Sequence, residues 1–413
     1  MKTVKKLIAA LACVALLLGC FAGCHEKGAT VATVTLDKKE YSVPAGVYLT
    51  MLISADSEAR SKVAEAITAE DADADTSNIN FSKQTVTADD KKEYKFNDYV
   101  LMRAKELVSE YLVTKYMFAK YDLKLSDESQ SAMEQYVAYQ WAYNGNAYLF
   151  EPNGISYDSY QEYMKVNMYY RSDVFDYFYN EGGEKAPAKA DIEKAIKEHF
   201  TAANILEISV KDDDGKDLAE DKLTEIADKI QGYCDRINDG KATFAEIKEE
   251  YDAENKKAEE KDEEDHEDHD HDHEDAEAED EAEDTEEDET AKPKDETAVV
   301  VGDDETSVAS QNFAEITKLE VGKATLLKCT DGYYRLVINQ DILADEYYFD
   351  TYRDETVRIM HAEDFNDYVA KEAKKLKITY DSYEIDYLSP KKISYDTYNQ
   401  WYSDALSNYT TEQ

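Results

Sequence analysis

The chain has 413 residues, of which 42% are hydrophobic and 11% aromatic, so two or three domains can bury a substantial core. Its formal net charge of −45 excludes binding to nucleic acid, whose phosphates require a basic surface, and electrostatic adhesion to anionic lipid. We therefore expect a globular protein, and any attachment to a membrane must use something other than its charge.

The first residues supply another means of attachment to a membrane. Three lysines among the first six residues precede an apolar run over 7–18, which is about as long as a signal-peptide core and too short to span a bilayer comfortably. The run ends in Leu-Leu-Gly-Cys at Cys20, which looks like the lipobox whose cysteine is lipidated in bacterial lipoproteins. An ordinary cleaved signal peptide is the other interpretation. We expect lipid on Cys20, with Cys24 as the alternative, to anchor the chain on the extracytoplasmic face of the cell membrane.

Hydrophobic spacing predicts a helix-rich region before residue 200. After a short alternating strand over 29–35, apolar residues recur at steps of three and four over 96–121, which predicts a long amphipathic helix. Ser126 has the position of an N-cap before a second helix. A tyrosine-rich helical stretch covers 157–179, and a short charged helix covers 190–200. These segments predict a mainly helical first half.

A β-strand at Thr201–Val210 begins a different pattern. An amphipathic helix over 218–237 follows it and, beyond an acidic run, a second strand covers 333–338. A last helix over about 349–376 returns to the helix-rich composition. This order predicts a small α/β domain inserted between helical segments.

Four short motifs occur in order along the chain. They are Ser156, Tyr160 and Met164 after a glycine-containing loop, Ala203-Asn204-Ile205-Leu206, Phe244-Ala245-Glu246-Ile247, and Gly332-Tyr333-Tyr334. Together with the order of elements over most of residues 29 to 390, they resemble the SurA/PrsA type of extracytoplasmic foldase. In that type, a helical chaperone module carries a prolyl-isomerase domain of the parvulin kind.

The resemblance implies an α+β fold that is mainly helical, with a parvulin-like α/β domain inserted into a chaperone module built from both ends of the chain. The implied divisions are a lipoprotein signal peptide, a helical chaperone region, the parvulin-like domain, a C-terminal helix that completes the chaperone module, and a tail: 1–19, 20–200, 201–340, 341–390 and 391–413.

Prolyl isomerisation requires rotation about a tertiary amide, over a barrier of roughly 18–20 kcal/mol. Parvulins favour the twisted amide with two buried histidines and a nearby acidic or cysteine side chain. At the matching positions this chain has Asn204, Tyr334 and Glu254 instead. Asparagine and tyrosine still donate and accept hydrogen bonds, so an active isomerase is one hypothesis. Because both histidines are absent, we expect weak or no isomerase activity.

An acidic run interrupts the parvulin-like region over 256–296. It contains 24 acidic and 5 basic residues and almost no apolar ones, a composition that predicts disorder. Within it, His266, His269, His271 and His273 alternate with carboxylates, and both groups are ligands for zinc. The run therefore predicts weak zinc binding at most, and we expect no required cofactor.

These observations predict a membrane-anchored chaperone that binds unfolded, newly secreted polypeptides and no nucleic acid. The many tyrosines suit that role because each offers a large amphipathic contact area at low cost in conformational entropy. An active prolyl isomerase is one alternative, and a surface lipoprotein that captures metal through the histidine run is the other. The sequence leaves the oligomeric state open.

Overall fold

A computed structural model describes residues 29–72, 74, 76, 79–212, 215–264, 292–303 and 312–411. These residues form two compact units. The helical unit contains the residues up to Ala186 and those from Ala362 onward, and the sheet unit is Pro187–His361. The predicted fold class, α+β and mainly helical, is confirmed.

The sheet unit begins at residue 187 and ends at 361, whereas the sequence suggested 201 and 340. The difference at its start is helix α7, Lys189–His199, which buries Ile192, Ala195 and Ile196 and leads directly into the first strand of the unit. An amphipathic helix belongs to the core that receives its apolar side. Spacing along the sequence identifies such a helix without identifying that core.

The described residues in the first part of the helical unit form four strands and six α-helices, with a π-helical segment at Lys165–Tyr170 between the last two. Their bounds are β1 Thr30–Leu36, β2 Lys39–Pro44, α1 Ala45–Glu70, β3 Thr85–Thr87, β4 Glu93–Lys95, α2 Phe96–Lys120, α3 Asp127–Ala142, α4 Asn146–Phe150, α5 Tyr157–Met164 and α6 Arg171–Tyr179.

Helices α1 and α2 form the main core of this unit. Tyr48, Met51 and Leu52 of α1 and Val100 and Leu112 of α2 are fully buried in one hydrophobic cluster. The predicted N-cap of α3 is confirmed, because the Ser126 hydroxyl accepts a hydrogen bond from the Ser129 amide at 3.0 Å. Local spacing and capping were therefore sufficient to locate α2 and the start of α3.

The C-terminal part of the chain completes the helical unit. Strand β9, Thr379–Tyr380, pairs with β1, so segments from both ends of the chain share one sheet. Helix α11, Glu346–Ala373, has its first half in the sheet unit and its second half in the helical unit. It is followed by α12, Ser382–Tyr387, and α13, Asp396–Thr411.

The stretch 391–413, predicted to be a tail, has regular structure in its described part. It contains α13, which carries Tyr398, Trp401 and Tyr402 at steps of three and one, so the three rings lie on neighbouring positions of one helical side. Its aromatic side packs on α4, which gives the helix a tertiary partner.

The sheet unit is built on four antiparallel strands in the order β6-β5-β8-β7. Its elements after α7 are β5 Phe200–Ser209, α8 Glu220–Asn238, α9 Phe244–Glu264, β6 Val299–Gly302, α10 Phe313–Ile316, β7 Ala324–Lys328 and β8 Tyr333–Gln340. Leu206 and Leu336 face α8 and α9 on one side of the sheet, and Ala203 and Val337 pack with α10 on the other.

Both ends of the stretch predicted to be disordered, 256–264 and 292–296, lie among the described residues. Helix α9 continues to Glu264, since Lys, Glu and Ala are good helix formers that extend a helix already started at Phe244. At the other end, Asp295 and Thr297 are tied to the sheet by hydrogen bonds. Among the described residues, no helix combines the length and apolarity needed to cross a membrane.

Candidate functional site

The two strand positions singled out as parvulin-like do not face each other. In the register of β5 and β8, Asn204 lies opposite Ile338, and Tyr334 lies opposite Ile208. Asn204 and Ile208 are four residues apart on one strand, which separates the two sites by about 13 Å. The partner of Tyr334 on β5 is thus a buried apolar side chain, which offers no hydrogen bond, and its partner on β7 is Lys328, whose ammonium lies 5.5 Å from the centroid of the Tyr334 ring.

The third predicted residue, Glu254, is also held elsewhere. It lies exposed on α9, and Lys229 of α8 donates to its carboxylate at 2.6 Å. The Lys229 ammonium lies over the ring of Tyr251, 5.1 Å from its centroid. Glu254 therefore belongs to a surface ion pair between two helices, and the structure does not bring it together with Asn204 or Tyr334.

Asn204 belongs to a compact polar cluster at the end of the sheet. It is 2% exposed; its amide donates to Asp295 at 3.0 Å and to Thr297 at 2.8 Å. The side-chain amide of Gln340 donates to the side-chain oxygen of Asn204 at 2.6 Å and to the Asp295 carboxylate at 2.8 Å. Burial raises the pKa of Asp295, but the hydrogen bonds from Thr297, Asn204 and Gln340 outweigh it and lower the pKa to about 2.

The members of this cluster satisfy one another's hydrogen-bonding groups. Both amide hydrogens of Asn204 are donated within it, so none remains to stabilise a twisted prolyl amide. Asp295 is ionised at neutral pH, and its carboxylate already accepts bonds from three side chains. The arrangement ties the segment before β6 to β5 and β8, which is a structural use of these groups.

The helical unit carries a different feature, a set of aromatic side chains that we call the aromatic surface, in which the tyrosines are exposed and Trp401 is half-buried. Its members lie on α3, after α3, on α4 and on α13: Tyr136, Tyr139, Tyr143, Tyr148, Trp401 and Tyr402. Tyr139 is 54% exposed and Tyr143 is 72% exposed, and their rings stack on each other at 5.4 Å. Exposed aromatic clusters of this kind are characteristic of binding surfaces.

Helix α13 is held against α4 and against the turn after α3. Trp401 stacks on Tyr148 of α4 with ring centroids 5.5 Å apart, and Tyr398 packs beside it. The ring of Trp401 also lies directly on Gly145, where only a glycine leaves room for it. On the inner side of α3, Met133 and Val137 are buried and hold the helix in place.

A cleft of about 600 Å³ lies elsewhere in the helical unit, beside α1 and α2. Its charged groups are largely paired with one another. Arg103 donates to Glu58 at 2.9 Å and to Glu106 at 3.1 Å, and Lys62 pairs with Asp89 at 2.7 Å. The pairing leaves little net charge to recognise a ligand.

The remaining predicted sites lie outside the described residues. These are the two candidate lipidation sites, Cys20 and Cys24, and the four histidines His266, His269, His271 and His273. Lipidation and zinc binding at these positions stay predictions from the sequence.

The chain is similar to two solved structures of PrsA foldases. The first, from Streptococcus pneumoniae, is 12% identical, covers 74% of this chain and 99% of its own, and has a TM-score of 0.33. The second, from Lactococcus lactis, is 15% identical, covers 70% of this chain and 87% of its own, and has a TM-score of 0.32. No family model and no curated protein matches the chain.

Sequence reasoning missed the aromatic surface and three members of the polar cluster. The steps of three and four from Tyr136 to Tyr143 resemble the spacing of a buried helical side, so they do not reveal exposure by themselves. Trp401 lay in the stretch taken as a tail. Asp295 lay in the stretch taken as disordered, and Gln340 lies far from Asn204 in sequence, so no local pattern connects them.

Proposed function

We propose that this protein is a lipid-anchored extracytoplasmic chaperone that holds unfolded, newly secreted polypeptides on its aromatic surface. The exposed tyrosine rings of the helical unit, with the half-buried ring of Trp401 beside them, carry the proposal. Exposed rings offer contact area to apolar segments of any sequence, which a binder of unfolded chains requires. The sequence motifs that resemble SurA/PrsA foldases support it, as does the foldase class of the two similar structures.

The proposed chaperone has little or no prolyl isomerase activity. Asn204 is saturated within its own cluster, and Tyr334 lies opposite an apolar residue. Because Asn204 and Tyr334 do not lie opposite each other, they do not form the polar pair that would favour the twisted amide over the planar one.

Suppression of aggregation tests the role of the aromatic surface. The full chain is mixed with a reduced, unfolded test protein, and light scattering is followed. We expect the double variant Tyr139→Ser, Tyr143→Ser to require about tenfold more protein for half suppression, since tenfold corresponds to about 1.4 kcal/mol and each ring contributes about 0.7 kcal/mol of it. Tyr383→Ser, which removes an equally exposed ring of α12 outside this surface, is the matched control.

Equal suppression by the double variant and the wild type would contradict the proposal. In the same preparation, cis/trans exchange in a proline peptide is expected to remain uncatalysed, with a time constant of tens of seconds. Faster exchange that is lost in Tyr334→Phe or Asn204→Ala would instead establish an active isomerase.

Fractionation of cells tests the proposed anchor. We expect Cys20→Ser to move the protein from the membrane fraction to the soluble extracytoplasmic fraction, because the attached acyl chains supply the membrane affinity. Cys24→Ser is the matched control and is expected to stay with the membrane. Release by Cys24→Ser alone would assign the lipid to Cys24, and membrane retention of a variant lacking both cysteines would refute the anchor.

A further inference from the structure

The residues of the aromatic surface lie in two long stretches of sequence that contain no basic residue. Neither 125–164 nor 393–413 contains a lysine, an arginine or a histidine, whereas both contain carboxylates. Glu151 follows Tyr148 by three residues and Asp404 follows Trp401 by three, so each exposed carboxylate lies one helical turn from a ring of the surface. The surface therefore combines the negative faces of aromatic rings with negative side chains.

Elsewhere in the same unit, tyrosine rings have cations from the chain itself. The ammonium of Lys115 lies 5.2 Å from the ring centroid of Tyr111, and Lys392 lies 4.1 Å from that of Tyr387. On the aromatic surface, no described lysine or arginine lies over a ring. The carboxylate of Asp404 accepts from the neutral amide of Gln400 at 2.8 Å. The chain thus supplies cations to several of its other tyrosines, and among the described residues it places none over these rings.

We propose that the aromatic surface selects segments of unfolded polypeptide in which lysine or arginine lies beside apolar residues. The inference rests on the proposed function, that this surface holds unfolded chains, and it names the class of segment. A cation over an exposed ring is attracted by the ring quadrupole, and a carboxylate one turn away attracts it further. Arginine is favoured over lysine because its planar guanidinium also stacks on the ring.

The charge of the whole chain acts in the same direction. A net charge of −45 attracts cationic segments and repels acidic ones at a distance, and salt weakens both effects. A second copy of this chain would present the same acidic and aromatic surface, so like charges oppose self-association there. These charges favour a cationic polypeptide segment as the occupant.

Binding of short labelled peptides tests the selection. Three peptides of equal length share their aromatic residues and differ only in four positions, filled with arginine, with glutamine or with glutamate. Fluorescence anisotropy with the full chain at low salt is expected to give about tenfold tighter binding of the arginine peptide than of the glutamine peptide. The glutamate peptide is expected to bind weakest, and the ratios should fall below about threefold in 0.5 M salt.

A pair of charge variants connects the selection to this surface. Glu151→Gln with Asp404→Asn is expected to lower affinity for the arginine peptide at least threefold and to leave the glutamine peptide unchanged. Glu40→Gln with Glu65→Gln changes the net charge equally at exposed positions outside the surface and serves as the control. An equal loss in both double variants would overturn the inference, since general attraction would then explain the preference.

Two further outcomes separate this inference from the proposed function. Equal affinity for the arginine and glutamine peptides, with aggregation still suppressed, would overturn the selection and leave the chaperone proposal intact. Binding of no peptide, together with no suppression of aggregation, would overturn both. Displacement of bound arginine peptide by an unfolded polypeptide but not by a soluble polysaccharide is expected, and the reverse would assign the surface to a glycan and overturn both proposals.

Discussion

Replacing Gly145 with alanine is expected to displace Trp401 and to release helix α13 from the helical unit. Gly145 has a φ of +73°, and a Cβ added there would lie within the van der Waals radius of the Trp401 ring. An alanine therefore encounters both left-handed strain, of about 1–2 kcal/mol, and a collision with the ring that holds α13 on α4. The collision is relieved most easily by movement of α13, whose other side is exposed.

Fluorescence measures this displacement directly. The chain has two tryptophans, so a Trp141→Phe background leaves Trp401 as the only one. In that background we expect Gly145→Ala to shift the emission to longer wavelength and to speed proteolytic cleavage within α13 about tenfold, because a released helix is open to proteases. Suppression of aggregation should fall as well, since the aromatic surface loses its part on α13.

Gly154→Ala is the matched control for this prediction. Gly154 has a φ of +85°, and a Cβ there would have no neighbouring atom within 4 Å. The control has the same backbone strain without the collision. Identical spectra and cleavage rates for the two variants would mean that Trp401 does not depend on Gly145.

Replacing Arg335 with alanine is expected to destabilise the sheet unit by about 3 kcal/mol. Arg335 lies on β8 and is 1% exposed. Its guanidinium donates to Glu207 on β5 at 2.6 Å and to Asp331 at 3.0 Å. Alanine would leave a cavity in the sheet and a largely buried Asp331 carboxylate without its cation.

Hydrogen exchange followed by mass spectrometry measures this loss, because both tryptophans lie in the helical unit and do not report on the sheet. Amides of β5 and β8 should exchange faster in Arg335→Ala. Arg236→Ala is the control, since Arg236 forms an exposed pair with Glu250 on the neighbouring helix, and solvent screens such a pair so that its loss should change stability little. Equal protection in Arg335→Ala and in the control would contradict the prediction.

The same prediction has a pH dependence with a definite sign. Burial raises the pKa of Asp331, but the hydrogen bonds and charge of Arg335 outweigh it and hold the pKa below its ordinary value. This ion pair therefore contributes its stability above the ordinary aspartate range and loses it as the pH falls through the lowered pKa. Accordingly, the difference between wild type and Arg335→Ala should shrink in acid, where Asp331 is protonated and needs no cation.

Local patterns were reliable where the determining contacts lie within one helix. The spacing of apolar residues located α2 at Phe96–Lys120, and the Ser126 hydroxyl capped α3 as expected. Both features depend on residues at most a few positions apart, so they can be predicted from the sequence alone. The order of helical and sheet segments follows from the same kind of information.

Local patterns did not predict the contacts between segments that are distant in sequence. The motif match placed Asn204 and Tyr334 in one network, but the register of β5 and β8 places them about 13 Å apart. A register is chosen by the burial of whole strands, and a shift moves every pair at once, so short motifs do not determine it. The cluster of Asn204, Asp295 and Gln340 depends on that same register.

The sequence by itself determined that this chain is an acidic, mainly helical α+β protein with an inserted sheet segment, because composition and periodicity fix helices, strands and charge. Only the tertiary structure decided which aromatic residues are exposed. Met133 and Tyr136 lie three residues apart on α3, yet packing buries the first and leaves the second open. Packing also placed Trp401 of α13 on Gly145, more than 250 positions away in sequence, and so brought two distant segments of the chain together in the aromatic surface.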